Sequence, residues 1–222
     1  MWKEIINALR GKDVVRELSI HLGQMLDAGR WMFDQAAEAL MREVDWHAVA
    51  GPLYEKDKQI NRIEQQIREG IVTHLATGSH ADLAACLVLM SVVKDAERIG
   101  DYCKNIFEVG RFYRRAYEHK EFRTPLDEIQ KAVTDLFEPT KQAFLKEDVN
   151  SARRVLRATA SLSKQCDTII QQLLSMERDF PADEAVAYVL LARHYKRVAG
   201  HLGNIATSVV SPVPMLDFRR ET

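Results

Sequence analysis

Residues 85–106, which read ACLVLMSVVKDAERIGDYCKNI, decide the fold predicted for this chain. Small and apolar residues recur in this segment at alternating spacings of four and three positions: Ala85, Leu89, Val92, Ala96, Ile99, Cys103 and Ile106. Such spacing places these side chains on one face of an α-helix, where the small residues allow a neighbouring helix to approach closely. The segment is therefore predicted to form one seam of a helical bundle.

A second stripe on the same predicted helix changes character along its length. Its first members are apolar and its later members are ionic: Leu83, Leu87 and Met90, then Lys94, Glu97, Asp101 and Glu108. We therefore expect the first end of this helix to be buried nearly all round. The second end is expected to carry a polar site at the flank of the bundle.

Glycine and proline are sparse and widely spaced, so long segments with a helical period lie between the breaks. The pattern predicts an all-α protein with six helices, at about 14–45, 48–76, 81–117, 126–146, 149–178 and 182–210.

The two halves of the chain are predicted to be tandem repeats. Residues 94–106 align without gaps on residues 193–205, and the helix before each segment aligns as well. The predicted architecture is two three-helix bundles, 14–117 and 126–210, joined by 121–125. The tail, 211–222, contains two prolines close after the last helix and is predicted to be a flexible extension or a docking strand.

Composition excludes several classes of protein. With 46% hydrophobic and 28% charged residues, the chain resembles an ordinary globular protein, and no segment approaches the roughly 18 apolar residues of a membrane span. The first residues lack the apolar core of a signal peptide, so a cytoplasmic location without membrane insertion is expected. A net charge of −1 argues against nucleic acid as a partner.

Neither the cysteines nor the motifs of the chain indicate catalysis. Cys86, Cys103 and Cys166 have no CxxC spacing and lie in apolar helical patterns, so they are interpreted as reduced packing residues. The chain contains no phosphate loop, no nucleophile elbow and no HExxH metal motif. We predict that it is not an enzyme.

Four polar residues form a candidate metal site. Asp57 and Asn61 are four positions apart, as are Glu97 and Asp101, and a helical hairpin folded at residue 79 sets the two pairs side by side. Three carboxylates and an amide oxygen suit iron, manganese, magnesium or calcium better than zinc. The alternative is an ordinary charged helix face, on which Glu97 pairs with Lys94 and Asp101 pairs with Lys104.

The motif ExDKxxN at 55–61, followed by ERIGDxxxNI at 97–106 in a doubled three-helix frame, resembles the PhoU family of phosphate-uptake regulators. The resemblance implies a cytoplasmic, often homodimeric protein that binds a metal ion or multinuclear metal cluster on the bundle surface. It also implies negative regulation of phosphate uptake and signalling through contacts with the phosphate-transporter ATPase and a membrane sensor histidine kinase. Asp57, Asn61, Glu97 and Asp101 match the metal positions of the family.

The second repeat departs from the family pattern at all four of these positions. Thr159, Ser163, Lys196 and Gly200 replace the expected oxygen ligands, and the hairpin register predicted around 179–180 places them together. Because Lys196 would repel a cation, no metal is expected there. His194 and His201 are two helical turns apart and could reach one ligand, although surface or packing roles are the more usual reading for such residues.

Two non-enzymatic hypotheses follow. In the first, the chain is a phosphate regulator that docks on membrane-associated partners through Arg98, Asn105 and Glu108, with a metal site in the first repeat. In the second, the chain is a metal-free PhoU-like adaptor of another phosphate carrier, and its helical surface alone carries the function.

Overall fold

The computed structural model describes residues 2–41, 46–77, 82–177 and 179–216. Within these ranges the chain forms seven α-helices, one short 3-10 helix and no strand. The elements are α1 (Trp2–Met41), α2 (Trp46–Ala76), α3 (Leu83–Phe112), α4 (Lys120–Thr134), α5 (Phe137–Leu145), α6 (Val149–Leu174), α7 (Ala182–Val210) and the 3-10 helix Val213–Met215. The all-α prediction is confirmed.

Helix α3 is the central element and packs against α1, α2 and α7. The seven seam positions are buried except Ala85, which is half-buried, so the 4-3 pattern identified the core face correctly. The second stripe was interpreted wrongly at its apolar end. Leu83 and Leu87 are 43% and 48% exposed, so this end of α3 is not buried all round.

Several helix ends differ from the predicted bounds. Helix α1 begins at Trp2 and not near residue 14, α3 ends at Phe112 and not at 117, and α6 ends at Leu174 and not at 178. The predicted bounds of the last helix, 182–210, are confirmed. The predicted fold point of the first hairpin, residue 79, lies outside the described residues. The fold point of the second hairpin falls between α6 and α7, as predicted.

The segment 121–125 is not a linker, because it lies inside α4. The chain leaves helical geometry earlier, after Phe112, and re-enters it at Lys120. The side chain of Glu184, in the first turn of α7, anchors this entry: its Oε1 atom accepts hydrogen bonds from the backbone N–H groups of Glu118 at 2.9 Å and His119 at 3.2 Å. Because Glu184 lies far along the chain from Glu118 and His119, no local sequence pattern predicts this contact.

The single helix predicted at 126–146 is two helices, separated at Asp135 and Leu136. Proline has no backbone N–H, so Pro139 cannot donate the hydrogen bond that would extend an α-helix through the carbonyl of Asp135. The turn is closed instead by a tighter bond from Leu136 N–H to the Val133 carbonyl, at 3.1 Å. Pro139 was the local signal for this break.

Side chains from both repeats share one hydrophobic core. Helices α3 and α7 meet along its middle, where the buried Asp95 of α3 accepts hydrogen bonds from His201 Nδ1 at 2.7 Å and Asn204 Nδ2 at 2.8 Å. The predicted flexible tail is partly ordered, since the 3-10 helix contacts α3 and Leu216 is buried. Residues 217–222 lie outside the described part of the chain.

Candidate functional site

Asp57 of α2 and Asp101 of α3 lie at the same level of the helical hairpin, as the register predicted. The Nζ atom of Lys104 connects them, at 2.9 Å from Asp57 Oδ2 and 3.0 Å from Asp101 Oδ1. Gly100 allows this close approach of the helices, because a Cβ atom there would lie 3.2 Å from Ile60 Cδ1 and 3.5 Å from Asp57 Oδ1. A lysine thus bridges the two carboxylates that the sequence offered as metal ligands.

A second lysine, Lys94, forms ion pairs with carboxylates of the same flank. Lys94 Nζ lies 2.8 Å from Glu97 Oε2 and 4.0 Å from Glu64 Oε1. Glu64 was missed by the sequence reasoning, although it follows Asp57 by two helical turns on the same face of α2. It also pairs with Arg68 at 2.9 Å. The pairings of Lys94 with Glu97 and of Lys104 with Asp101, expected for an ordinary charged helix face, are both present.

Arg98 completes the charge balance of this flank. Its guanidinium lies 3.3 Å from Asp101 Oδ2 and 3.9 Å from Glu97 Oε2. The hydrogen bonds from Lys104 to Asp57 and Asp101 raise the pKa of the Lys104 ammonium, although desolvation, the largest single influence, acts in the opposite direction. Lys104 therefore stays charged in the folded protein at neutral pH.

This arrangement does not fit the predicted metal site. Among the described residues, no three His, Cys, Asp or Glu side chains are grouped so that they could hold a metal ion. A cation bound between Asp57 and Asp101 would have to displace the Lys104 ammonium, which already contacts both carboxylates. Metal binding at Asp57, Asn61, Glu97 and Asp101 stays a prediction of the sequence.

The three predicted partner-binding residues come together beside this flank. Arg98, Asn105 and Glu108 line a pocket of about 430 Å³, to which Asp101 and Lys104 also contribute. Two tyrosines, Tyr54 and Tyr102, complete its wall. The pocket therefore combines both signs of charge with aromatic surface, a composition suited to contact with a polar protein surface.

An apolar groove continues from this pocket toward the ends of α3 and α7. Asn105 and Glu108 line both cavities, and the groove has a volume of about 760 Å³. Its surface carries apolar side chains exposed to solvent: Phe112 at 77%, Val186 at 57% and Leu190 at 40%. At its edge Arg115 pairs with Asp183 at 2.9 Å. Exposed apolar side chains clustered in a groove with a charged edge are typical of a protein interaction site.

The corresponding positions of the second repeat also come together. Thr159, Ser163, Lys196 and Gly200 line one pocket of about 200 Å³, which confirms the register predicted for that hairpin. Lys196 Nζ pairs with the exposed Asp167 at 2.6 Å.

His194 and His201 both contact the ring of Tyr102 in the first repeat, with ring centroids 5.9 and 5.6 Å away. Burial lowers the pKa of His194. The two histidines thus pack the interface between the repeats.

The three cysteines are free and buried, as the packing interpretation predicted. Burial raises the pKa of Cys166 to about 12 and also raises the pKa values of Cys86 and Cys103. These thiols are therefore protonated at neutral pH and poorly suited to nucleophilic or metal chemistry.

The fold defines a class of protein: a tandem helical-bundle module with a groove at the junction of its repeats. None of the helices in the described residues is long and apolar enough to span a membrane. The model of the PhoU domain family matches residues 22–109 and 126–209, one copy in each repeat. The chain belongs to the PhoU family.

Comparison with individual proteins agrees with this assignment. The chain is 23% identical over 202 residues to the phosphate-specific transport system accessory protein PhoU of Escherichia coli, covering 88% of this chain and 83% of that protein. It is 27% identical over 171 residues to the PhoU homolog 1 of Thermotoga maritima, covering 73% and 72%. The crystal structure of PhoU from Pseudomonas aeruginosa superposes with a TM-score of 0.79 at 22% identity, covering 90% of this chain and 96% of that chain.

Proposed function

We propose that this protein is a cytoplasmic regulator of phosphate uptake and phosphate signalling that acts by docking on other proteins. Membership of the PhoU family and similarity to proteins named as accessories of the phosphate-specific transport system support this role. The chain carries out no chemical turnover in this proposal. Its effect depends on how much of a membrane-associated partner it occupies.

The observation that carries the docking proposal is the continuity of the polar pocket with the apolar groove. Arg98, Asn105 and Glu108 line the pocket, and Asn105 and Glu108 also open onto the exposed apolar surface around Phe112. An interface needs an apolar centre that is desolvated on binding and a polar rim that fixes the orientation of the partner. The end of α3 and the start of α7 supply both.

The partners proposed for this surface are the ATPase of the phosphate transporter and a membrane sensor histidine kinase. Both partners expose cytoplasmic surfaces, which a protein of this family could reach without crossing the membrane. We propose that the chain acts as a homodimer, so that one assembly could present two such surfaces. The two partners and the homodimer are inferred from resemblance to the family.

The proposed mechanism contains no metal step. Lys104 and Lys94 already neutralise Asp57, Asp101 and Glu97, the carboxylates that were predicted to be metal ligands. These lysines act as internal counter-ions that fix the spacing of α2 and α3, and thereby hold Arg98 at the edge of the pocket. The protein therefore acts without a bound metal, as in the adaptor hypothesis.

Deletion of the gene tests the proposal. Phosphate uptake and phosphate-responsive transcription should rise in the deletion strain at high external phosphate, because the negative regulator is lost. Wild-type protein should restore repression, and a Glu108→Lys variant expressed at the same level should not. Glu69→Lys, a charge reversal at an exposed α2 position that lines neither cavity, is the matched control. Unchanged uptake and transcription in the deletion strain would contradict the regulator and favour an adaptor of another phosphate carrier.

A further inference from the structure

We infer that the second repeat contains a binding site for a small tetrahedral oxyanion, with inorganic phosphate as its ligand. The site is the pocket of about 200 Å³ lined by Thr159, Ser163, Lys196, Arg197, Gly200 and His201. It occupies the place that corresponds, in the first repeat, to the carboxylates around Lys104. This inference does not depend on the proposed regulatory role.

The charge of the pocket supports an anion. Lys196 stands where the first repeat has Glu97, so a positive charge replaces a negative one. Gly200 stands where the first repeat has Asp101, so a second negative charge is absent. Arg197, the counterpart of Arg98, is kept. No acidic residue lines the pocket. The lining itself is thus more positive than the corresponding positions of the first repeat, which favours a bound anion.

The lining also supplies the hydrogen-bond donors that an oxyanion requires. Lys196 and Arg197 provide charged donors, and the hydroxyl of Ser163 provides a polar one. Asp95 accepts from His201 Nδ1 at 2.7 Å, which fixes the orientation of the ring and leaves Nε2 as its other polar atom. Groups that are already oriented lose less entropy when a ligand binds.

Two carboxylates lie near the pocket and contact residues of its lining. Asp95 is buried behind the lining, where His201 and Asn204 both donate to its Oδ1 atom. Both Asp167 oxygens lie within 2.7 Å of Lys196 Nζ, and the Asp167 and Lys196 side chains are 55% and 26% exposed. A pair this exposed contributes little to stability, so an anion in the pocket can compete for the Lys196 ammonium.

The size of the pocket selects a small ligand. Its volume of about 200 Å³ is below the range of roughly 300 to 1,000 Å³ that is typical for drug-sized ligands. A Cβ atom added at Gly200 would have no neighbouring atom within 4 Å, so the glycine leaves free space beside the cations. An inorganic anion fits these dimensions better than a nucleotide does.

Isothermal titration calorimetry of the full chain with inorganic phosphate tests the site. Wild type should bind one phosphate per chain, and Lys196→Gln and Arg197→Gln should each weaken binding by about tenfold, the effect expected from loss of one charge-assisted hydrogen bond. The matched controls Lys164→Gln on α6 and Arg193→Gln on α7 remove the same charges at exposed positions outside the pocket. They should change the affinity by less than about twofold.

A pair of substitutions at Gly200 separates charge from volume. Gly200→Gln and Gly200→Glu add side chains of the same size, and only Gly200→Glu should abolish phosphate binding completely, because it restores a negative charge. Circular dichroism should show both variants to be folded. No binding by folded wild type at about 10 mM phosphate would overturn the inference. Equal loss in the control variants, or binding of glycerol phosphate without binding of inorganic phosphate, would overturn it as well.

Discussion

Lys104 Nζ lies within 3.0 Å of both Asp57 and Asp101, so a lysine of α3 ties the two helices of the first hairpin at the level of their carboxylates. Asp57 is buried, with only 12% of its side chain exposed. The bridge is therefore both the main structural feature of this flank and the reason why a metal fits it poorly.

Replacement of Lys104 should destabilise the fold. Lys104→Met removes the ammonium and leaves the Asp57 carboxylate buried without its partner, which should lower the free energy of unfolding by about 1 to 3 kcal/mol. Lys58→Met is the matched control, because Lys58 and its partner Glu55 are both more than 60% exposed. Its cost should stay below about 0.5 kcal/mol. Urea denaturation measures both variants, and equal effects would contradict a structural role for the bridge.

Removal of the two lysines should raise the affinity of this flank for a metal ion. The double variant Lys94→Gln, Lys104→Gln removes two of the three cations that, among the described residues, contact Asp57, Glu97 and Asp101, and leaves Arg98. It should bind Mn²⁺ more tightly than wild type does, as measured by electron paramagnetic resonance of free Mn²⁺. Addition of Asp101→Asn to this variant should reverse the gain. Stoichiometric metal in wild type purified without chelator, lost in the double variant Glu97→Gln, Asp101→Asn, would show instead that the metal displaces Lys104.

Two glycines should respond to alanine in opposite directions. Gly200 is inside α7 with open space around its Cβ position, so Gly200→Ala should stabilise the protein by about 0.4 to 1 kcal/mol. A Cβ atom at Gly110 would lie 2.7 Å from both Leu40 and the ring of Trp46. Gly110→Ala should therefore cost about 1 to 3 kcal/mol through overpacking. Thermal melts that shift in the same direction for both would contradict this description of the packing.

The hydrogen bonds of Glu184 should make the free energy of unfolding depend on pH under acidic conditions. Burial alone would raise the pKa of Glu184, but hydrogen bonds from His119 and Tyr188 outweigh it and lower the pKa below its ordinary value of 4.5. A carboxyl with a lowered folded-state pKa stabilises the protein above pH 4.5, and this contribution is lost as the pH falls through the folded-state value.

The Glu184→Gln variant tests this dependence. The difference in unfolding free energy between wild type and variant should be largest near neutral pH and should shrink below pH 4.5. Glu128→Gln, at an exposed position of α4, is the control and should follow wild type at every pH. A difference that stays constant from neutral to acid pH would mean that the Glu184 charge does not contribute.

The sequence predicted those parts of the structure that depend on local period and pairing register. The seam of α3 and the level of Asp57 with Asp101 follow from helical spacing and the fold point of one hairpin. The break before Pro139 has a local signal in the missing N–H of proline, although the helical period alone predicts one continuous helix. The contacts of Glu184 with His119 and of Asp95 with His201 could not be predicted, because they depend on how the two repeats pack together.

Binding of the purified protein to the purified ATPase of the phosphate transporter tests the central claim most directly. Biolayer interferometry with wild type should show saturable binding. Glu108→Lys should weaken it by about tenfold or more through lost electrostatic complementarity, while Glu69→Lys should not change it. A lower affinity in the first variant alone would support docking through the pocket and groove at the end of α3. Equal affinity of Glu108→Lys and wild type, or no binding of folded wild type to either the ATPase or the sensor kinase, would contradict it.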